Sequence, residues 1–285
     1  MDVFYETKQI LEKYKIRANK ELGQNFLIDD NVVQKIIESA NINRNDFVIE
    51  IGPGLGVLTN RLLDRSNNVI AIELDKKMVN VITDRFKERE NLEIINEDIL
   101  KVDLKALIQE KKQKNNIEQV KIVANLPYYI STPIIMKLLE KKLGINEIIV
   151  MVQKEVADRL TSKTGERLAG AITYAIEYYS EAEEIIKVPK ESFIPSPKVE
   201  SEVIKLKIRE TPKVNVKDET LLFNLIQKSF SQRRKTLVNA LVNYNFVKDK
   251  SIAEKMLQEL EIDANVRGEK LQLEDFAKIA NFLSI

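Results

Sequence analysis

The residues best suited to chemistry in this sequence sit in one short stretch, VKIVANLPYY, residues 120–129. Asn125 offers a side-chain amide and Leu126 a backbone carbonyl. Pro127 has no N–H and fixes its own φ, which stiffens the turn. Tyr128 and Tyr129 add two aromatic faces. The apolar, β-branched run Val120–Val123 leads into them and reads as a buried strand. Such a strand end carries acceptors and a stacking surface, but no ordinary acid, base or nucleophile. The 285 residues contain no Cys, no His and no Trp. Disulfides and zinc sites built on thiolate or imidazole are therefore excluded. Cys–His, Ser–His and His general-base mechanisms are excluded too. The inventory favours a reaction driven by positioning, and no metal is expected.

The elements that must hold this stretch follow a βαβ rhythm from residue 47. FVIEI is a strand, followed by a Gly-rich turn and a helix over 58–65. NVIAIEL, LEIINED, VKIVANL and EIIVMVQ continue the strands, with helices over 75–87, after Asp103 and after Pro133. The polar KKQKNNIE reads as a surface loop. Strands alternating with helices predict a parallel, doubly wound α/β sheet. VESEVIKLKIRE alternates near period two, with a phase break at Ile204, and reads as a half-exposed antiparallel strand near a sheet edge. Upstream, Asp29 or Asp30 is placed to N-cap a helix whose apolar face is Val32, Val33, Ile36 and Ile37. Beyond Pro212 the pattern is helical. The expected division is a basic N-terminal arm over 1–20, a catalytic domain over 21–210 and a small all-α domain over 211–285. The net charge is +1, so any basic surface must be local. No apolar run approaches the ~18 residues of a membrane span and no signal-peptide pattern is present, so a cytoplasmic location is expected.

A ligand site is legible beside the first strand. EIGPGLGVLT places Gly52, Gly54 and Gly56 at a helix N-terminus, where backbone can approach a ligand closely. Glu73 ends the second strand, where a carboxylate takes the two hydroxyls of a ribose. Asp98 ends the third and can accept from an adenine amino group, although Asp at a strand end more often serves a turn. Glu50, an acid inside an apolar strand, must find a partner. The G-x-G-x-G spacing and these acids favour S-adenosylmethionine over a dinucleotide, whose pyrophosphate needs a cradle.

Asn125-Leu126-Pro127-Tyr128 matches the [N/D/S]-[I/L/P]-P-[Y/F] pattern of amino-group methyltransferases. An adenine N6 amino group is a poor nucleophile because its lone pair is delocalised into the ring. Acceptors that hold both amino hydrogens, the Asn125 side-chain oxygen and the Leu126 carbonyl, favour a tetrahedral nitrogen. Tyr128 can stack on the base, worth ~1–3 kcal/mol. Methyl transfer then needs chiefly positioning.

Together, ELGQNFLID, EIGPGLGVLT, ELD, EDIL, NLPYYIST, FIPSPKVESEVI, FSQRRKTLVNAL and RGEKLQLEDFAKIAN resemble the KsgA/RsmA ribosomal RNA adenine dimethyltransferases, over about residues 20–282. The resemblance implies a Rossmann-like methyltransferase sheet with a small C-terminal helical domain. It implies S-adenosylmethionine-dependent N6,N6-dimethylation of two adjacent adenosines in a 3′-terminal hairpin of 16S ribosomal RNA, on the small subunit late in assembly. It carries cofactor contacts onto Asn25, Leu27, Gly52, Glu73, Asp98 and Asn125, with Gln24 in the same closing segment. It sets Asn125, Leu126, Pro127 and Tyr128 at the transfer site, with Phe193 as a second aromatic face; core packing is the other reading of Phe193. The stretch Gly165–Tyr174, GERLAGAITY, departs from the family's usual pattern there, and Tyr129 is given no role.

Lys228, Arg233, Arg234 and Lys235 lie in a segment with no acid between Glu219 and Asp249. They are the expected phosphate contacts, against the alternative of a solvated helix face. Lys13–Lys20 form a weaker basic cluster. A monomer binding the small subunit, without membrane or metal, is the resulting expectation. An Erm-type enzyme acting on 23S ribosomal RNA is the nearest alternative, and a non-catalytic assembly factor the alternative of another class.

Overall fold

The computed structural model describes residues 2–19, 21–140, 142–232 and 234–284. In chain order the elements are α1 (Val3–Lys13), β1 (Phe26–Leu27), α2 (Asp30–Ala40), β2 (Phe47–Ile51), α3 (Val57–Leu63), β3 (Asn68–Glu73), α4 (Lys76–Arg85), β4 (Leu92–Asn96), α5 (Leu104–Lys114), β5 (Val120–Asn125), α6 (Ser131–Glu140), β6 (Glu147–Gln153), α7 (Lys154–Thr161), α8 (Ala171–Tyr179), β7 (Ser180–Val188), β8 (Phe193–Ile194), β9 (Ser201–Ile208), α9 (Glu219–Ser231), α10 (Leu237–Asn243), α11 (Lys250–Glu259) and α12 (Leu273–Leu283). Seven strands form one sheet in the order β4-β3-β2-β5-β6-β9-β7. The first five of these are parallel, and β9 runs antiparallel to β6. The expected Rossmann-like α/β architecture is observed.

The central strands are apolar along nearly their whole length because helices cover both faces. Chain order reverses between β2 and β5, which lie side by side. In open α/β sheets the ligand crevice opens at that reversal, outside the carboxyl ends of the strands. The residues following β2 and β5 are Gly52 and Leu126, so the two motifs emerge as neighbours. At the opposite end of the sheet, buried Lys121 pairs with Asp46 at 3.0 Å and donates to the carbonyls of Ala40 and Asn41. Lys205 pairs with Glu147 at 2.8 Å and donates to the Ser39 carbonyl. These bonds tie the end of α2 to the sheet, and each of these four charges has an opposite partner. Asp29 caps α2 through the Asn31 and Val32 N–H groups.

Two compact units are present. One takes in the chain up to Ala157 with Ala182–Ile208; the other takes in Asp158–Glu181 and the chain from Arg209 on. The division therefore differs from a single boundary near 210. Apolar α8 belongs with the C-terminal helices: Tyr174 is fully buried, donates to the Leu271 carbonyl at 2.6 Å, and meets Phe230 and Phe276 edge-on. The N-terminal segment, expected as a basic arm, is packed against the fold over much of its length. Val3, Thr7 and Ile10 of α1 are buried, and Glu6 pairs with Arg85 of α4. Lys20 of that arm lies outside the described residues. β7 is the sheet's outer strand and β9 lies inside it, so the first half of β9 is buried rather than half-exposed. α5 runs to Lys114, through residues that read as loop. Among the described residues no helix is long and apolar enough to cross a membrane.

Candidate active site

A cavity opens at the carboxyl ends of β2, β3, β4 and β5. Its walls include Asn25, Leu27, Gly52, Glu73, Asp98 and the run Asn125–Tyr128, all singled out from sequence. Glu50, Leu74 and Tyr129 line it too. Among the described residues no cluster of three or more metal-binding side chains is found.

The glycine turn works by close approach. Gly56 has φ +80°, and a Cβ there would sit 2.7 Å from the Phe86 ring. Gly52 has φ +67° and faces the backbone carbonyl of Asn125, 3.9 Å from where a Cβ would be. Both positions need glycine's conformational freedom. Glu73 steadies the turn from β3. Its Oε2 accepts from the Gly54 N–H at 3.1 Å and its Oε1 from the Asp75 N–H at 2.9 Å. Burial pushes the Glu73 carboxyl above its ordinary range, and these two N–H groups pull it partly back. The Asn96 amide, at the end of β4, holds the Glu73 carbonyl at 2.8 Å.

Glu50 is 1% exposed, and its Oε2 has no hydrogen-bond partner. Burial pushes its carboxyl up to about 8, nearby Thr59 opposing and the Glu73 charge reinforcing. An unpartnered acid in a ligand cavity is costly unless a cation or donor arrives there.

Asp98 accepts from the Leu100 N–H at 2.9 Å, so its side chain serves the turn as well as the cavity wall. Lys137 of α6 closes that turn. Its Nζ donates to the carbonyls of Ile99, Leu100 and Val102 at 2.8, 2.9 and 2.7 Å.

The Gly-Gln-Asn segment before β1 forms another wall. Gln24 Nε2 donates to Asp75 Oδ2 at 2.8 Å, and Asn25 Nδ2 to the Gly23 carbonyl at 3.0 Å. Asn125 Nδ2 donates to the Asn25 carbonyl at 3.3 Å. That bond commits the amide nitrogen and leaves Oδ1 as the acceptor. The Leu126 N–H is used by the Met151 carbonyl at 3.1 Å, which fixes the peptide plane. Tyr128 begins a 3₁₀ turn that passes directly into α6. Its ring is half-buried, and burial raises its phenol above the ordinary range.

The structure does not bring Phe193 into this cavity. It is 2% exposed, opposite Leu27 in the β1–β8 pair, and packed with Val32, Val33 and Val188 in the core. Core packing accounts for its residue type, and it offers no stacking face to the cavity. Leu74, 48% exposed, does not stand out in the sequence, and Tyr129, 55% exposed and given no role there, also faces the cavity. The available signal for Leu74 was its place directly after Glu73. Tyr129 lies against Gly23, 3.5 Å from where a Cβ there would sit.

In the second unit, Arg234 and Lys235 are exposed on the turn between α9 and α10. Lys228 sits 4.9 Å over the Tyr244 ring, and that phenol bonds Ser231 at 2.7 Å. Arg233 lies outside the described residues.

Residues 15–284 match the family model described as ribosomal RNA adenine dimethylase. The chain is 46% identical over 279 residues to a protein of Alkaliphilus oremlandii named ribosomal RNA small subunit methyltransferase A, covering 98% of this chain and 96% of the relative. A Clostridioides difficile protein of the same name is 44% identical over 278 residues, covering 98% and 95%. A solved dimethyladenosine transferase from Plasmodium falciparum superposes with a TM-score of 0.74 at 27% identity, covering 89% of this chain and 95% of that one. The 23S ribosomal RNA methyltransferase ErmE gives 0.68 at 24% identity, covering 92% and 100%, a likeness of fold.

Proposed function

The chain belongs to the ribosomal RNA adenine dimethylase family, and from that premise we propose that it uses S-adenosylmethionine to dimethylate N6 of two adjacent adenosines in small-subunit ribosomal RNA. The enzyme is a ribosomal RNA adenine dimethyltransferase of the small-subunit type. One observation carries the site assignment. A single cavity is lined both by the glycine turn with Glu73 and Asp98 and by Asn125–Tyr128.

The residues present fit the cofactor. Glu50 Oε2 is buried and unpartnered, which suits a cationic ligand. Glu73 would take the ribose hydroxyls, Asp98 the adenine amino group, and Gly52, Asn25 and Leu27 the remaining surface. S-adenosylmethionine, when bound, supplies an electrophilic methyl group. The chain's own task is to prepare the nucleophile. Asn125 Oδ1 and the Leu126 carbonyl accept the two hydrogens of the adenine amino group and localise its lone pair. Pro127 holds those acceptors at a fixed angle. Tyr128 stacks on the base, and Asn125 stays oriented because its nitrogen is committed to Asn25. No general base is needed before transfer, because the nitrogen becomes cationic and acidic once methylated and then gives its proton to solvent.

The second unit carries the phosphate contacts in this reading. Lys228, Arg234 and Lys235, with Arg233, neutralise phosphates of the small subunit and position its RNA. An Erm-type activity is the second reading, and the relatives at 44–46% identity favour the small-subunit substrate over it. The test is methyl transfer from labelled S-adenosylmethionine to unmodified small subunits and, separately, to naked 23S ribosomal RNA. Label on the small subunits supports the reading. Label confined to naked 23S RNA moves the protein to the Erm class. Cofactor binding without transfer to either would favour an assembly role.

A further inference from the structure

The Tyr128 ring is held from beyond the turn that carries it. It reaches past β6 to the start of β9, where its hydroxyl meets Ser201 Oγ at 2.6 Å. Ser201 is 1% exposed and sits in the β6–β9 ladder opposite Gln153, so its position is fixed by the sheet. The alternation of β9 sends Ser201 toward Tyr128 and the next residue, Glu202, to the other face. The tyrosine is therefore anchored at both ends. Its backbone follows Pro127 and starts the 3₁₀ turn, and its hydroxyl is tied to a buried serine. A ring fixed at only one end would rotate about χ1 and χ2, with a cost in the geometry presented to a planar partner.

We propose that Ser201 is a positioning residue for methyl transfer, setting the plane of the Tyr128 ring against the target base. This rests on the reading of Tyr128 as the stacking surface. It assigns a role to the serine that ends the PKVES segment, residues 197–201, which the cofactor contacts do not use. A phenol is protonated at neutral pH in any case, and burial moves Tyr128 further from ionising, so the hydroxyl pair persists under working conditions.

The test is a set of variants, Ser201→Ala, Ser201→Thr, Tyr128→Phe, Tyr128→Ala and the double change Ser201→Ala with Tyr128→Phe. Each is assayed on unmodified small subunits, with S-adenosylmethionine affinity and the thermal midpoint measured alongside. Ser201→Ala and Tyr128→Phe are expected to lower kcat about tenfold each, with cofactor affinity unchanged. The double variant should lose no more than either single one, because both remove the same bond. Ser201→Thr keeps the hydroxyl and should restore most of the rate. If Tyr128→Ala abolishes transfer while Ser201→Ala and Tyr128→Phe run at the full rate, the stacking surface stands and the positioning role is wrong. Full activity of Tyr128→Ala would instead remove the stacking reading on which it rests. Additive losses in the double variant would show that Ser201 acts elsewhere and overturn the proposal.

Discussion

Glu50 shows how one buried side chain ties stability to ligand chemistry. Its carboxyl titrates near 8 in the fold against an ordinary 4.5, raised first by burial. Between those values the folded chain keeps a proton that the unfolded chain has released. Glu50 therefore weakens the fold progressively as pH rises through that window. Buried Glu73, also raised, acts with the same sign. The thermal midpoint of the ligand-free protein should fall from about pH 5 to 8, and Glu50→Gln should flatten that decline. A cationic ligand selects the carboxylate instead. Calorimetry of S-adenosylmethionine binding at pH 7, in two buffers of different ionisation heat, should show proton release that Glu50→Gln abolishes. Equal proton release in the two proteins would separate Glu50 from the ligand. The tetrapeptide at 125–128 and the acids Glu73 and Asp98 were legible in sequence because strand ends fix what they can face. Ser201 was not, because its contact with Tyr128 depends on β9 pairing beside β6. Phe193 illustrates the converse: an aromatic in a distinctive motif that the β1–β8 pair places in the core.

Elements, rather than single residues, deliver these groups to one place. The βαβ rhythm was readable from apolar runs and from caps such as Asp103, which accepts from the Ala106 N–H at the head of α5. β7 was not readable: SEAEEIIKV is rich in charge, as an outer strand with solvent beside it can be. Lys137 fills a cage of three carbonyls that a planar guanidinium matches poorly. Lys137→Met should release the 98–102 turn and raise the KM for S-adenosylmethionine about tenfold, with kcat little changed and Lys137→Arg restoring little of it. An unchanged KM would show that the turn holds without α6. Gly56→Ala forces a methyl group toward the Phe86 ring in a left-handed conformation. It should cost about 1–3 kcal/mol of stability, read as a lower thermal midpoint, and weaken cofactor binding at the same time.

At the scale of the whole molecule, a chain with net charge +1 must gather its basic surface locally to bind RNA. Exposed Arg234 and Lys235 give that idea a measurable form. Changing each to Gln should lower the slope of log affinity for small subunits against log salt by about 1, with cofactor affinity unaltered. The discontinuous second unit was beyond the sequence, because nothing in Asp158–Glu181 marks it as packing with helices that begin some forty residues later. We propose one cavity for both tasks, binding the methyl donor and holding the amino group of an adenine. The most direct measurement is nucleoside mass spectrometry of unmodified small subunits after incubation with S-adenosylmethionine and either the native protein or its Asn125→Ala variant. The native protein should yield N6,N6-dimethyladenosine, and the variant should bind the cofactor normally yet transfer about a hundredfold or more slowly. Dimethyladenosine formed by the variant at the native rate would contradict the assignment of Asn125 and, with it, the account of how this cavity works.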